Sequence, residues 1–114
     1  MPYFKMQSNE TFLNTDELIE KASAMVAEVL GKPEKYVMVI MEENREMLFG
    51  GNKDPMFFCE LKSIGLPREK TKEISEQITG FISEETGVKP ERIYIEFTDA
   101  ERSMWGWNGA TFEK

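Results

Sequence analysis

Proline stands second in this chain, directly behind the initiator methionine and at the head of the apolar stretch Met1-Pro2-Tyr3-Phe4. Methionine is commonly trimmed when the next residue is small, and proline qualifies. Trimming would leave a secondary amine at the N-terminus. An ordinary α-amine titrates near pH 7.7–8.0, and an apolar pocket disfavours its charged form and lowers that value. Such an amine can act as a general base at neutral pH in a chain that has no histidine. Position alone also allows a bland reading, because many proteins carry proline second with no chemical role.

The other reactive types offer less. Cys59 is the single cysteine, so the chain can form no internal disulfide and carries no CxxC. Flanked by Phe57, Phe58 and Leu61, it reads as a small core residue. The absence of histidine and the lone cysteine argue against zinc and haem. The acidic pairs Glu42-Glu43 and Glu84-Glu85 read as solvated faces, since no calcium loop accompanies them. No GxGxxG, P-loop or GxSxG is present. No metal and no cofactor are therefore expected.

The 114 residues suggest one domain, 1–114. With 40% hydrophobic and 31% charged residues the composition is that of a soluble globular chain rather than a disordered one. The net charge of −7, from 21 acids and 14 bases without a basic cluster, argues against a nucleic-acid partner. No apolar run approaches the roughly 18–20 residues of a membrane span, and the N-terminus lacks the regions of a signal peptide. Cytoplasm is the default location.

The elements that must position Pro2 read as two copies of one unit, about 2–51 and 56–107. In the first copy Pro2 to Met6 is a strand. Asn14 or Thr15 caps a helix that carries Leu18, Ile19, Ala22, Met25, Val26, Val29 and Leu30 at helical spacing. Gly31 ends it, with Pro33 just beyond. Tyr36 to Met41 is β-prone, Asn44-Arg45 turns, and Met47-Leu48-Phe49 is extended up to Gly50-Gly51. In the second copy Met56 to Leu61 is a strand and Pro67 opens a helix with Ile74, Ile78, Phe81 and Ile82. Gly87 closes it, Arg92 to Phe97 is a strand, and Met104-Trp105 follows a turn before Gly106.

Gly31-Lys32-Pro33-Glu34-Lys35 aligns with Val88-Lys89-Pro90-Glu91-Arg92, the Lys-Pro-Glu cores lying 57 residues apart, and Phe49-Gly50 pairs with Trp105-Gly106. A duplicated β-α-β-β unit gives an α+β, two-layer fold: a four-stranded mixed sheet with both helices on one face. Val37 to Met41 and Met56-Phe57-Phe58 are apolar on both parities, so the face away from the helices is also expected to be buried. A cyclic oligomer whose sheets enclose a shared centre would bury it.

Six stretches in register then carry a resemblance over residues 1 to 112. They are Met1-Pro2, Gly31-Lys32-Pro33-x-x-Tyr36, Phe49-Gly50-Gly51, Cys59-x-Leu61-x-Ser63-Ile64-Gly65, Pro90-x-Arg92-Ile93-Tyr94-Ile95 and Gly106-Trp107-Asn108-x-x-Thr111-Phe112. Together they resemble the macrophage migration inhibitory factor (MIF) family of the tautomerase superfamily. The resemblance implies a homotrimer with active sites at subunit boundaries, where the mature N-terminal proline moves a proton between carbon and oxygen in keto–enol tautomerisation of arylpyruvates. It implies that Pro2 is the base and that Lys32 binds the carboxylate of a small keto or enol acid. It further implies that the backbone N–H of Ile64 helps hold the substrate, and that Tyr94 enters from the neighbouring subunit. Tyr3, Phe4, Tyr36, Trp105 and Phe112 are then candidate apolar walls.

Each of these residues also has a plain structural reading. Lys32 suits a helix C-terminus, as does its repeat partner Lys89. Tyr94 alternates with Ile93 and Ile95 as a strand aromatic, Ile64 reads as core, and Trp107 reads as packing. The chain departs from the mammalian members at three places. Glu96 replaces an asparagine that helps bind the far end of the substrate, and an ionised carboxylate accepts hydrogen bonds but cannot donate them. Altered or weaker arylpyruvate activity is expected from it. Trp105 replaces an aliphatic residue near the mouth and should narrow it. Met56 replaces the first cysteine of the mammalian CxxC, so no thiol-oxidoreductase activity is carried over. The alternative function is a MIF-like ligand for a receptor or other protein partner with residual tautomerase activity. Animal members are exported without a signal peptide, so secretion stands beside cytoplasm.

Overall fold

The computed structural model describes residues 1–113, all but the last residue of the expected domain. Its main elements follow in chain order: β1 (Tyr3–Ser8), α1 (Thr15–Leu30), β2 (Met38–Glu42), β3 (Phe57–Ile64), α2 (Thr71–Thr86), β4 (Ile93–Ala100), β5 (Gly106–Trp107) and β6 (Ala110–Thr111). The main sheet runs β2-β1-β3-β4. β1 pairs parallel with β2 and β3 pairs parallel with β4, while the two halves join through the antiparallel pair β1–β3. This is the expected four-stranded mixed sheet.

The helices form because each has one apolar stripe. Leu18, Ala22 and Val26 repeat every four residues in α1, and Ile74, Ile78 and Ile82 do so in α2. Both stripes pack against Phe4 and Met6 of β1, Phe57, Cys59 and Leu61 of β3, and Ile93 of β4 in one core. Complete burial of a side chain such as Ile82 is worth about 1.5–3 kcal/mol. Cys59 lies wholly within this core, where burial pushes its thiol well above the ordinary value and leaves it unreactive. Gly31 closes α1 at φ +64, a left-handed conformation that glycine adopts freely.

Four sequence expectations are corrected. The helices begin at Thr15 and Thr71 and close at Gly31 and Gly87, so the structural repeat here spans 56 positions rather than 57. Pro33 precedes its 3₁₀ turn (Glu34–Tyr36), whereas Pro90 is the first residue of the matching turn (Pro90–Arg92). The shared Lys-Pro-Glu letters are thus one place out of structural register. Met47-Leu48-Phe49 is not a strand, because within the chain Phe49 pairs only with Asn52, across a tight turn at Gly50-Gly51. Pro67 leads into a 3₁₀ turn (Arg68–Lys70), and α2 starts after it.

The fourth correction concerns the face away from the helices. The register lines up Tyr3, Met38, Lys62 and Thr98, then Lys5, Ile40, Glu60 and Glu96, then Gln7, Glu42, Phe58 and Tyr94. This face is mixed, with five charged side chains among these twelve, and is not apolar. Lys5 lies 3.6 Å from Glu42 across it, and Gln7 donates to Glu42 at 2.7 Å. The apolar runs in β2 and β3 are too short to cover it, since Phe58 gives way to Glu60 and Lys62 on the same parity.

One side chain secures the link between the halves. The Arg92 guanidinium, entering β4, donates to the carbonyls of Phe49 (2.8 Å), Asp54 (2.9 Å) and Asn52 (3.4 Å) and lies 4.8 Å over the Phe49 ring. Hydrogen bonds from a charged donor are each worth about 1.5–3 kcal/mol. Arg92→Ala is expected to lower unfolding stability by about 1–3 kcal/mol and to speed amide exchange in residues 49–54. Denaturant unfolding with hydrogen exchange measures both, and a variant as stable and as protected as the parent would contradict the assignment.

Candidate active site at the chain terminus

The N-terminus is fixed before any side chain is considered. β1 lies between β2 and β3, and the pairing extends one residue beyond it: the Met38 N–H donates to the Pro2 carbonyl at 3.0 Å. Pro2 is fully buried. The antiparallel ladder with β3 ends with Tyr3 opposite Lys62, so the chain terminus lies toward Ser63 and Ile64 at the end of β3.

Beside the terminus opens a cavity of about 290 Å³. Met1, Pro2 and Tyr3 form its floor, Tyr36, Val37 and Met38 one side, and Trp105, Gly106, Trp107 and Phe112 the other, with Lys35 at the rim. Five sequence-predicted residues therefore meet here: Pro2, Tyr3, Tyr36, Trp105 and Phe112. Phe4 does not; it points into the main core.

The aromatic wall comes from the last 12 residues. Asn108 and Gly109 both take positive φ (54° and 77°) and close a two-residue hairpin between β5 and β6. That turn folds Trp107 back against Phe112, rings stacked at 5.9 Å, and sets it edge-on to Tyr36 at 5.7 Å. The Phe112 N–H donates to the Arg102 carbonyl and anchors the strand end. Trp107, expected only to pack, is thus also a wall of the cavity. The Asn-Gly pair is the sequence signal that would have placed it. Lys35 had no such signal; the 3₁₀ turn that presents it, with Nζ 5.1 Å over the Tyr36 ring, is a product of tertiary context.

Lys32 does not line this cavity, but its charge acts on the terminal amine beside it. After Gly31 ends α1, the Lys32 N–H donates to the Ala27 carbonyl, and its Nζ donates to the Ile64 carbonyl at 3.2 Å. This hydrogen bond tethers a cation close enough to the chain terminus to act on its amine. The terminal amine titrates below its ordinary value, first because burial penalises its charged form and second because Lys32 repels it. The amine present is that of Met1; removal of Met1 would transfer the role of terminal amine to Pro2, one residue deeper. The contact seen at Ile64 runs through its carbonyl, which holds Lys32.

Tyr94 and Glu96 lie elsewhere. Tyr94 pairs with Phe58 at the other end of β3 from Ile64, six strand residues or roughly 20 Å away. Its ring packs on Phe49 at 4.5 Å, and it remains 60% exposed. Glu96 is exposed and sits beside Glu60. Neither lines the cavity of its own chain. Among the described residues no cluster of His, Cys, Asp or Glu is arranged to hold a metal, and no helix is long and apolar enough to cross a membrane.

Comparison with known proteins agrees along the whole chain. The family model "Macrophage migration inhibitory factor (MIF)" matches residues 1–113. A macrophage migration inhibitory factor homolog of Brugia malayi is 39% identical over 98% of this chain and 99% of its own. The macrophage migration inhibitory factor of Rattus norvegicus is 31% identical over the same shares. Among solved structures, the homologue from Prochlorococcus marinus superposes with a TM-score of 0.91 at 40% identity, covering 97% of this chain and 99% of that one. The factor from Trichinella spiralis gives 0.92 at 28%, covering 96% and 99%. Over residues 1–113, the chain belongs to the macrophage migration inhibitory factor family, within the tautomerase superfamily.

Proposed function

We propose that the chain is a cofactor-independent keto–enol tautomerase acting on arylpyruvate-type acids, with the amine of Pro2, freed by removal of Met1, as its general base. The observation that carries this reading is the placement of the terminal amine. In the unprocessed chain this is the Met1 amine, which opens on an aromatic cavity near a tethered lysine and whose protonation burial and Lys32 both disfavour; the freed Pro2 amine would take the next position along the strand. A base of this kind removes a proton from the carbon next to the keto group and returns one on oxygen or carbon. Lys32 supplies a point charge for the substrate carboxylate or the developing enolate. The aromatic rings of Tyr36, Trp107 and Phe112 suit an aryl group.

The reading includes a homotrimer. Tyr94 and Glu96 are too far from their own cavity and exposed enough to serve a neighbour's. Glu96 would bring a negative charge to a site whose Lys32 brings a positive one, and the two act on the Pro2 amine with opposite sign. A second reading, a MIF-like ligand for a protein partner with residual turnover, is supported by the names of the relatives.

Pro2→Gly separates the two. On protein whose processing is confirmed by intact mass, it should lower phenylpyruvate tautomerase turnover by at least about 100-fold while leaving partner binding unchanged. Turnover at the parent's rate would sink Pro2 as the base.

The pH dependence of kcat/KM tests the electrostatics. The amine must be neutral to act, so the rate should rise with pH through a midpoint below the ordinary amine value and then level off. Lys32→Gln removes a like charge and should move the rising limb to higher pH. Glu96→Asn removes an opposite charge and should move it to lower pH. A limb that neither substitution moves would contradict the assigned roles.

A further inference from the structure

Two serines lie in the core, Ser8 and Ser63, each essentially unexposed. Ser8 is satisfied: its hydroxyl donates to the Met56 carbonyl at 2.8 Å and accepts from the Glu10 N–H at 3.1 Å. Ser63 is not. Its hydroxyl has no hydrogen-bond partner among the described residues. A buried hydroxyl left unpaired is costly, by about 1–3 kcal/mol, and a native structure offers few of them.

The register shows what lies beside it. The last paired row of β1 and β3 is Tyr3 with Lys62; continuing that register by one residue sets Pro2 against Ser63, and both are buried. Directly opposed residues of an antiparallel pair hold their Cβ atoms about 4.5–5.5 Å apart. With Met1 attached, the Pro2 nitrogen is a tertiary amide, which has no N–H and almost no basicity. It can offer Ser63 nothing. Removal of Met1 turns the same atom into a secondary amine with an N–H to donate and a lone pair.

We propose that Ser63 is a positioning residue for the terminal base: its hydroxyl accepts a hydrogen bond from the N–H of the freed Pro2 amine and so aims the amine's lone pair into the aromatic cavity. The inference rests on the reading that Pro2 is the mature terminus. It explains why a hydroxyl is unpaired at this position and not at Ser8: its partner is made by processing. It also assigns the two neighbours of the terminus separate tasks. Lys32, held by the Ile64 carbonyl, sets the charge around the amine, and Ser63 sets its direction. The titratable group paired with Ser63 in the sheet is Asp99 of β4, whose carboxylate accepts from the Leu66 N–H at 3.0 Å; the others near the site are Lys35 at the rim and the phenols of Tyr3 and Tyr36 in the walls, while Lys62 lies over the Tyr3 ring.

A hydrogen bond accepted from the amine is stronger when the amine is charged, so Ser63 holds the Pro2 pKa somewhat higher than burial and Lys32 alone would. The test is the titration of the terminal nitrogen, read from the ¹⁵N shift of proline-labelled protein. Processed Ser63→Ala is expected to titrate roughly half to one pH unit lower than the parent. Its kcat should fall about tenfold with a smaller change in KM, because the lone pair is no longer aimed. Ser63→Cys keeps the volume with a weak acceptor and should shift the midpoint in the same direction. It stands in for the alanine variant if that fails to fold. In protein that retains Met1, neither substitution should move the terminal amine.

A structural role alone would lower the melting temperature and leave the midpoint where it was. A folded, processed variant with the parent's midpoint overturns the proposal, and so does an equal shift in the Met1-retaining form. The titration needs no turnover, so a protein without tautomerase activity still decides the role of Ser63 independently of the role of Pro2.

Discussion

The site depends on the position of β1 between two partners. An N-terminal strand at a sheet edge would fray, and its first residue would be solvated. Here β2 binds it on one side and β3 on the other, with pairing to β2 continued to the Pro2 carbonyl. Pro2 is therefore buried as fully as the core residues of β1. Everything chemical at the site follows from this. A fixed, buried amine has a lowered pKa; a mobile, hydrated one would not. The antiparallel register with β3 also decides its neighbours, Ser63 and Ile64, and the Ile64 carbonyl in turn holds Lys32 at 3.2 Å.

Much of this was legible in the residues because the signals were local. The stripes of Leu18, Ala22 and Val26 and of Ile74, Ile78 and Ile82 gave both helices, and Gly31 and Gly87 gave their ends. The cavity walls were harder to read. Tyr36, Trp105 and Phe112 were assigned to the cavity by resemblance, while Trp107 was read as packing, although Asn108-Gly109 announces a hairpin that turns its ring toward Tyr36. Lys35 carries no local signal, because only the folded turn after Pro33 brings it to the rim.

Two misreadings share a cause. Lys-Pro-Glu occurs in both halves, but the repeats are aligned in space by where the helices close, not by matching letters. The sheet face was judged from short apolar runs, whereas pairing across four strands decides its character. Lys5, Glu60 and Glu96 meet in one row, and no single segment contains all three. Non-local register is the information that a linear reading lacks, and it is also what brings the chain terminus toward the end of β3 that holds Ser63.

The division between near and far residues shapes the function. One chain brings together its own terminus, the Lys32 cation and the aromatic walls, while Tyr94 and Glu96 do not line that cavity. Assembly would thus complete the site rather than create it. The most direct test of the central claim compares the same sequence with and without Met1 in phenylpyruvate tautomerisation. If the Pro2 amine is the base, the processed protein turns over and the Met1-retaining form, whose Pro2 nitrogen is an amide, is slower by at least about 100-fold. Equal rates in the two forms would contradict the account and place the base elsewhere.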